Sequence, residues 1–579
     1  MNEQRNLILA IALSVAIIVG FEYFYGIPQR EQARRQAPPP ATSETVPAET
    51  APDRGGGVPL PAREGLAERL LETALREAPR VPVDNARLTG SLDLRGARLD
   101  DLRLDDYGTT PDPASPRIRL LYPAGTATAY YAQFGWTTTE EDVTVPGPDA
   151  EWRVVSGRVA PGEELVLRWE NGAGLVFEQR ITVDEDYMFR VVRTVENRGD
   201  RPVTLYPYGL VARHGTPETL GYYILHEGPL GVLDGTLKEI DYDELVEDGP
   251  VTLESTGGWL GITDKYWLVA LIPDQDARVR AGFRHLVRGG RPVYQSDFVR
   301  DPVTVAPGGR AEVVDRLFAG AKEVELLDRY QAELGIPLFD RAVDFGWFYF
   351  LTKPIFYILH YLYKWTGNYG VAILVMTLLV RLVLFPLANK SFRAMNRMKK
   401  LQPEMMRLRE LYEHDKMRLN QELMELYRRE KVNPMAGCLP ILVQIPIFFA
   451  LYKVLFVSIE MRHAPFFGWI RDLSAPDPTS VFNLFGLLPW DVPSFLQVGA
   501  LPVLMGLTMW LQQKLNPQPA DPVQAKVMNL LPVMFTFLFA TFPAGLVLYW
   551  TWSNVLSIAQ QWALRWQMER EERAAARAG

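Results

Sequence analysis

Arg381 is the only charge in Trp365–Asn389, a run of 25 residues. A guanidinium stays protonated and offers five N–H donors. Placing it near the middle of an apolar helix costs at least ~2.5–3.5 kcal/mol on insertion scales. It therefore needs a partner, water or a route to the surface. Thr377 lies one helical turn before it on the same face. Other apolar runs carry Gln444, then Thr508 with Gln512, then Trp550, Asn554 and Ser557, the last two groups at helical spacing. No Asp or Glu lies within 369–389, 434–456, 496–513 or 527–563, so those segments offer no ion-pair partner. Two readings stay open. Arg381 faces a water-filled cavity, or it snorkels past Pro386 toward Lys390. Together, Thr377, Arg381, Gln444, Thr508, Gln512, Trp550, Asn554 and Ser557 suggest a hydrophilic groove within the inner leaflet. Phe448, Phe535 and Phe542 would form a greasy slide beside it. Taken singly, each polar residue is more often glue between helices.

Bond-making chemistry finds little footing. The single cysteine, Cys438, excludes an intramolecular disulfide and a cysteine-cluster metal site. His214, His226 and His285 show no triad or metal-ligand spacing. No nucleotide motif is present, and no metal or cofactor is expected.

The elements that must hold these residues are membrane spans. The chain has 579 residues with Lys+Arg 61 and Asp+Glu 69. Residues 23–345 carry 36 Lys/Arg and 52 Asp/Glu, whereas the remainder is basic and apolar. Two environments are implied, and a large acidic part argues against nucleic acid as a partner. Uncharged runs long enough to cross hydrocarbon predict spans at about 6–24, 369–389, 434–456, 496–513, 527–542 and 545–563, the last pair joined at Pro543-Ala544-Gly545. Segment 390–432 holds 12 Lys/Arg and 7 Asp/Glu, which marks it as cytoplasmic. Six spans then put both termini inside and 26–345 outside. Leu401, Met405, Leu408 and Leu411, then Leu419, Leu423, Leu426 and Tyr427, form two apolar stripes around a turn at Glu413-His414-Asp415. They predict a cytoplasmic helical hairpin suited to emerging chains or anionic lipid.

The acidic part divides further. Residues 1–25 read as an uncleaved anchor, and 26–82 as a Pro/Ala-rich linker. From 83 to 335, short runs such as Phe177–Val183, Met188–Val195 and Val203–Val211 between turns predict an all-β sandwich, closed by a helix at Glu323–Leu334. Segment 336–368 is crowded with aromatics and reads as an interfacial amphipathic helix. Residues 369–563 are the five-span core, and 564–579 a cytoplasmic tail.

Three stretches resemble one family. They are Thr377–Arg381 with Phe385-Pro386-Leu387, Val432–Pro440 with Gln444–Phe448, and Phe542–Trp550 with Ser553-Asn554. Leu92–Arg98 and Gln133-Phe134-Gly135-Trp136 extend the likeness. The family is the YidC membrane protein insertases, of the Gram-negative type with a large periplasmic domain. The resemblance implies a bacterial inner-membrane protein with a periplasmic β-supersandwich and a groove open to cytoplasm and lipid. Arg381 matches the family's groove arginine, and Trp550 stands where the family often has Tyr. The implied partners are nascent membrane proteins, the Sec translocon, membrane lipids and the ribosome, although the tail after Arg565 is short and mixed in charge. The expected activity is insertion of nascent membrane proteins without enzymatic chemistry. The rivals are a solute transporter or channel, which would want paired ionisable groups or inverted repeats, and a tethered enzyme using 83–335.

Overall fold

A computed structural model of the chain describes residues 71–578, except 220–224, 347, 431, 433–438, 489, 491, 494–495 and 516–521. The expected anchor at 1–25, most of the linker, Cys438 and the start of the third span lie outside the described residues. The chain forms two compact units. One runs up to Tyr349 and adds Phe456–Glu460. The other contains Phe350–Leu455 and residues from Met461 onward.

The first unit is built from a ten-stranded and a nine-stranded antiparallel sheet. In the strand Leu175–Val183, Phe177, Gln179, Ile181 and Val183 are buried while the residues between them are partly exposed. That period of two puts one face in the core, and the register Phe177↔Val195 and Ile181↔Val191 aligns it with the strand Met188–Asn197. The predicted linker ends earlier than expected. A short helix α1 covers Leu71–Glu77 and a strand covers Arg80–Asp84. That strand pairs Arg80↔Asp93 through Asp84↔Thr89 at the end of its sheet. Pro82, which lacks an N–H, is tolerated on such an edge. The Pro/Ala-rich composition of 26–82 as a whole made the segment read as linker. A second short helix α2, Tyr242–Glu247, joins two later strands, and α3, Val324–Leu334, follows the last strand and ends on left-handed Gly335.

The two sheets are tied by a buried charge. Arg193 on the nine-stranded sheet pairs with Asp315 two residues along the neighbouring strand, and both side chains are within 1% of complete burial. The same guanidinium donates to the carbonyls of Gly135 and Tyr208 on the opposite sheet. Phe134 and Trp136 lie 5.4 and 5.8 Å from it. Arg300 approaches Asp315 at 3.3 Å. Gly135 is required because a Cβ there would stand 2.6 Å from the Tyr208 hydroxyl. In the Leu92–Arg98 turn, Gly96 and Ala97 have positive φ, and buried Arg98 donates to the carbonyls of Arg95 and Pro148 at 3.2 and 3.0 Å.

The second unit is helical. Helix α4, Tyr349–Thr366, buries Ile355, Phe356 and Leu359 and exposes Phe350, Tyr361 and Trp365. Helix α5, Tyr369–Val383, is capped by Asn368, whose Oδ1 accepts from Val371 N at 3.1 Å. The expected continuous helix 369–389 is broken at Leu384. The chain turns there by 64° into α6, Phe385–Leu411. Pro386 in the first turn of α6 is the cause, since it cannot continue the preceding ladder. Helix α7, Lys416–Arg429, starts at Asp415, whose carboxylate accepts from Arg418 N at 3.0 Å. It completes the hairpin with α6, with Met405 and Leu426 buried and Arg429 bonded to Glu404 at 2.7 Å. Helices α8, Leu439–Val457, α9, Ala500–Leu515, α10, Pro522–Phe539, and α11, Ala544–Ala578, follow. Helix α11 packs on α5 and α9, and α9 packs on α10. Among the described residues no single helix is both long and apolar enough to cross a membrane; the bent pair α5–α6 passes that test jointly.

Two predictions concern the β unit. Removing one partner of a buried ion pair strands the other, so Asp315→Ala should cost about 3–5 kcal/mol. The urea midpoint of the strand signal in the full-length protein checks this; an unchanged midpoint would reject the tie between sheets. Burial, with the charges of Arg291 and Arg98, pushes the His214 imidazole down to about 4. An ordinary imidazole in the unfolded chain titrates near 6.5. The unfolded state therefore takes up a proton first as pH falls. Stability is complete above about pH 6.5 and should drop by about 2 kcal/mol by about pH 5. Thermal unfolding of wild type and His214→Gln over that window tests it; the variant should show the smaller decline.

Candidate functional site

Helix α11 organises the polar residues. Its Tyr549, Ser553 and Ser557 follow at four-residue spacing and so share a face. Arg381 of α5 reaches that face: its Nη2 donates to the Ser553 carbonyl at 3.2 Å and to the Ser553 hydroxyl. The Ser557 hydroxyl donates to the same carbonyl at 2.8 Å. Trp552 Nε1 donates to the Leu374 carbonyl at 3.2 Å and fixes the same helix pair. One turn toward the start of α11, Gln444 of α8 donates its amide to the Tyr549 hydroxyl. On the other flank, Asn554 donates to Thr508 Oγ1 of α9 at 3.2 Å. A single helix thus gathers polar groups from three neighbours.

The partners of Arg381 are neutral. No carboxylate lies within 4 Å of it among the described residues. Both hydrogen bonds leave from Nη2, and the side chain is half-buried. A cation held by neutral acceptors keeps its charge and its remaining donors for another acceptor.

Thr377 is fully buried, and its hydroxyl donates to the Ile373 carbonyl of its own helix at 2.6 Å. Its hydroxyl is used locally, one turn away from Arg381. Trp550 sits among aromatic rings. Its centroid is 4.9 Å from Phe448, 5.2 Å from Phe539 and 6.3 Å from Phe535. Phe542 joins through Phe539 at 4.9 Å. Phe448 of α8 and Phe535 of α10 therefore meet at Trp550 of α11, and Phe542, in the turn before α11, reaches the cluster through Phe539. Arg381, Gln444 and Asn554 lie along the polar face and its flank.

Sequence reasoning missed Tyr549 and Ser553 as partners. The available signal was their i, i+4 spacing with Ser557. It was weak because a serine in a helix ordinarily bonds its own backbone, as Ser557 does.

The helical unit thus carries Arg381 at a polar seam, and the same chain carries a large unit of two antiparallel sheets. The model of the 60Kd inner membrane protein family matches residues 361–571, and that of the YidC periplasmic domain matches 80–358. The chain is 48% identical over 603 residues to the membrane protein insertase YidC of Methylobacterium sp. (strain 4-46), covering 97% of this chain and 95% of the relative. It is 50% identical over 578 residues to that of Beijerinckia indica subsp. indica and 48% identical over 591 residues to that of Bradyrhizobium diazoefficiens, covering 97% of this chain in both cases and 95% and 96% of the relatives. The chain belongs to the YidC membrane protein insertase family. The family is one of insertases, not enzymes, and none of these three relatives bears the name of a transporter or channel.

The Gln444–Tyr549 bond gives a test of the seam. Gln444→Leu leaves the buried Tyr549 hydroxyl without its donor, at a cost of about 1–3 kcal/mol. Adding Tyr549→Phe replaces both partners by apolar groups and should restore most of the loss. Unfolding of the four proteins in mixed micelles measures the cycle; strictly additive losses would dissolve the pairing.

Proposed function

We propose that the helical unit inserts nascent membrane proteins into the inner membrane through the seam around Arg381, alone or with the Sec translocon. The observation that carries this is a half-buried guanidinium held, among the described residues, by neutral groups of α11, the helix that also carries Trp550 of the aromatic cluster. In this reading α5 and α8–α11 cross the bilayer. The α6–α7 hairpin and both termini lie in the cytoplasm, the β unit lies in the periplasm, and α4 rests on the outer membrane surface. The hairpin meets emerging chains, anionic lipid and the ribosome.

The step is transfer, not bond chemistry. An unsatisfied polar backbone group in hydrocarbon costs several kcal/mol, roughly 2–7 by reference state. A polar or acidic flank entering the seam meets Arg381, Gln444, Asn554 and water instead of lipid. Helix α9 has 16 residues, a rise of about 24 Å against a hydrocarbon core of about 30 Å. The barrier beside such a helix is thinned, and the flank crosses less hydrocarbon. The apolar part of the substrate leaves along Phe448, Phe535, Phe542 and Trp550 into lipid. Hydrophobic transfer and the membrane potential supply the drive.

Arg381→Ala should lower insertion of substrates with an acidic flank about tenfold, equivalent to about 1.4 kcal/mol on the barrier. Neutral-flank substrates should lose much less. Protease protection of radiolabelled substrates in proteoliposomes measures both, and equal losses would reject charge recognition. A photo-crosslinker at Gln444 should trap the nascent chain in the same assay; labelling only at sites remote from the seam would reject this route.

A further inference from the structure

The connection between α8 and α9 carries an apolar projection unrelated to the Arg381 seam. From Pro478 to Trp490 it has no charged residue. Leu487 is 82% exposed, Phe485 56% and Leu484 52%, and Phe482, Leu488 and Trp490 are exposed beside them. Such a cluster in water is costly at ~25 cal/mol per Å² of apolar surface, so it needs a covering.

The backbone is built to hold these side chains outward. Leu484 and Phe485 both adopt left-handed conformations, at φ 51° and 60°. Two consecutive bulky residues there are strained. The loop is nevertheless pinned. Phe485 N donates to the Ser480 carbonyl at 2.8 Å, Leu488 N to the Asn483 carbonyl at 3.0 Å, and Val481 N to the Val498 carbonyl at 2.9 Å. Its base is fastened to the first turn of α9. The buried Asp477 carboxylate accepts from Leu501 N at 2.8 Å, and Thr479 Oγ1 accepts from Ala500 N at 2.9 Å. The projection therefore sits at the level where α9 begins. The outer side of α9 continues it with exposed Leu504, Leu507 and Leu511.

We infer that this projection is a lipid anchor, seated in the headgroup–acyl boundary of the outer leaflet. The inference rests on the reading that α9 spans the bilayer. Three features select lipid as the occupant. The exposed apolar surface is continuous with the outward side of α9. Phe482, Phe485 and Trp490 are aromatic, the side chains favoured at that depth. The absence of charge from Pro478 to Trp490 gives nothing for a charged partner to pair with, so anionic headgroups are not needed. An interfacial element of this kind penetrates roughly 5–10 Å. It would fix the height of α9, and hence of Thr508 and Asn554, relative to the bilayer surface.

The test uses the full-length protein with Cys438→Ser in phosphatidylcholine vesicles. A single environment-sensitive fluorophore is attached at Leu487→Cys, at Leu507→Cys or at Val287→Cys, the last an exposed site on the β unit. The expected result is a blue-shifted emission at 487, quenched more by shallow than by deep spin-labelled lipid, with several-fold weaker iodide quenching than at 287. Replacing part of the lipid with phosphatidylglycerol should leave this unchanged, and a requirement for anionic lipid would overturn the uncharged contact. The label at 507 should be quenched more by deep spin labels. If 507 is quenched by lipid while 487 stays open to iodide, the anchor is overturned and the spanning reading stands. If 487 is shielded from iodide but not quenched by lipid, protein covers the loop and the anchor is overturned. If 507 is not quenched by lipid, the spanning reading fails and takes the anchor with it.

Discussion

A guanidinium inside an apolar helical unit must be solvated by something, and here the solvating groups are neutral. The Ser553 carbonyl and hydroxyl hold Arg381 without cancelling it. A carboxylate in the same place would have made a closed ion pair, well satisfied and of little use to a third party. With neutral acceptors the positive charge stays available. The surrounding contacts follow from that constraint. Helix α11 must lie close enough to α5 for its main-chain carbonyl to be reached, and Trp552 secures that approach through Leu374. The Gln444–Tyr549 and Asn554–Thr508 bonds then bring α8 and α9 to the same helix.

The polar seam and the aromatic cluster lie side by side on α11: Tyr549 and Ser553 follow one face, and Trp550 and Asn554 the next. Tyr549 and Trp550 are adjacent in sequence, yet one hydroxyl meets Gln444 while the neighbouring ring meets Phe448 and Phe539. Gln444 and Phe448 are themselves one turn apart on α8. A one-residue step on α11, from Tyr549 to Trp550, matched to a four-residue step on α8 therefore places a polar contact directly beside an apolar one. A substrate with a polar flank next to an apolar segment has the same alternation.

Much of the architecture was legible in the sequence because it rests on periodicity and charge. The alternation around Phe177–Val183 predicted strands, and the stripes Leu401–Leu411 and Leu419–Tyr427 predicted a hairpin. Arg381 stood out because a charge in an apolar run has few explanations. The parts that were not legible depend on pairing across long separations. Arg80–Pro82 reads as linker until the strand Leu88–Asp93 is placed beside it. Ser553 is unremarkable until α5 delivers an arginine to its carbonyl. Trp550 shares a helical face with Asn554, so spacing alone assigned both to the polar wall; only the position of α8 and α10 shows that the indole meets rings. The break at Leu384 is different, since Pro386 was visible. Its effect was underestimated because a proline in a first turn is ordinarily harmless. Here that first turn abuts another helix, so the missing N–H becomes a 64° bend.

That bend also bears on the surroundings of Arg381. Arg381 lies in the last turn of α5, three residues before the break. If α5 had continued straight through Leu384 to Asn389, the next turn of the same helix would have extended past the guanidinium, and Phe385 and Leu387 would have added apolar cover beyond it. Instead the chain swings away and α6 leaves along a new direction. The carbonyls at the end of α5 lose their successors, and the negative end of its dipole points toward the cation. A proline just after a helix end thus does two things at once: it frees space beyond Arg381, and it supplies carbonyl dipoles that stabilise the charge without neutralising it. The same physics that makes Pro386 a helix breaker ends α5 within one turn of Arg381.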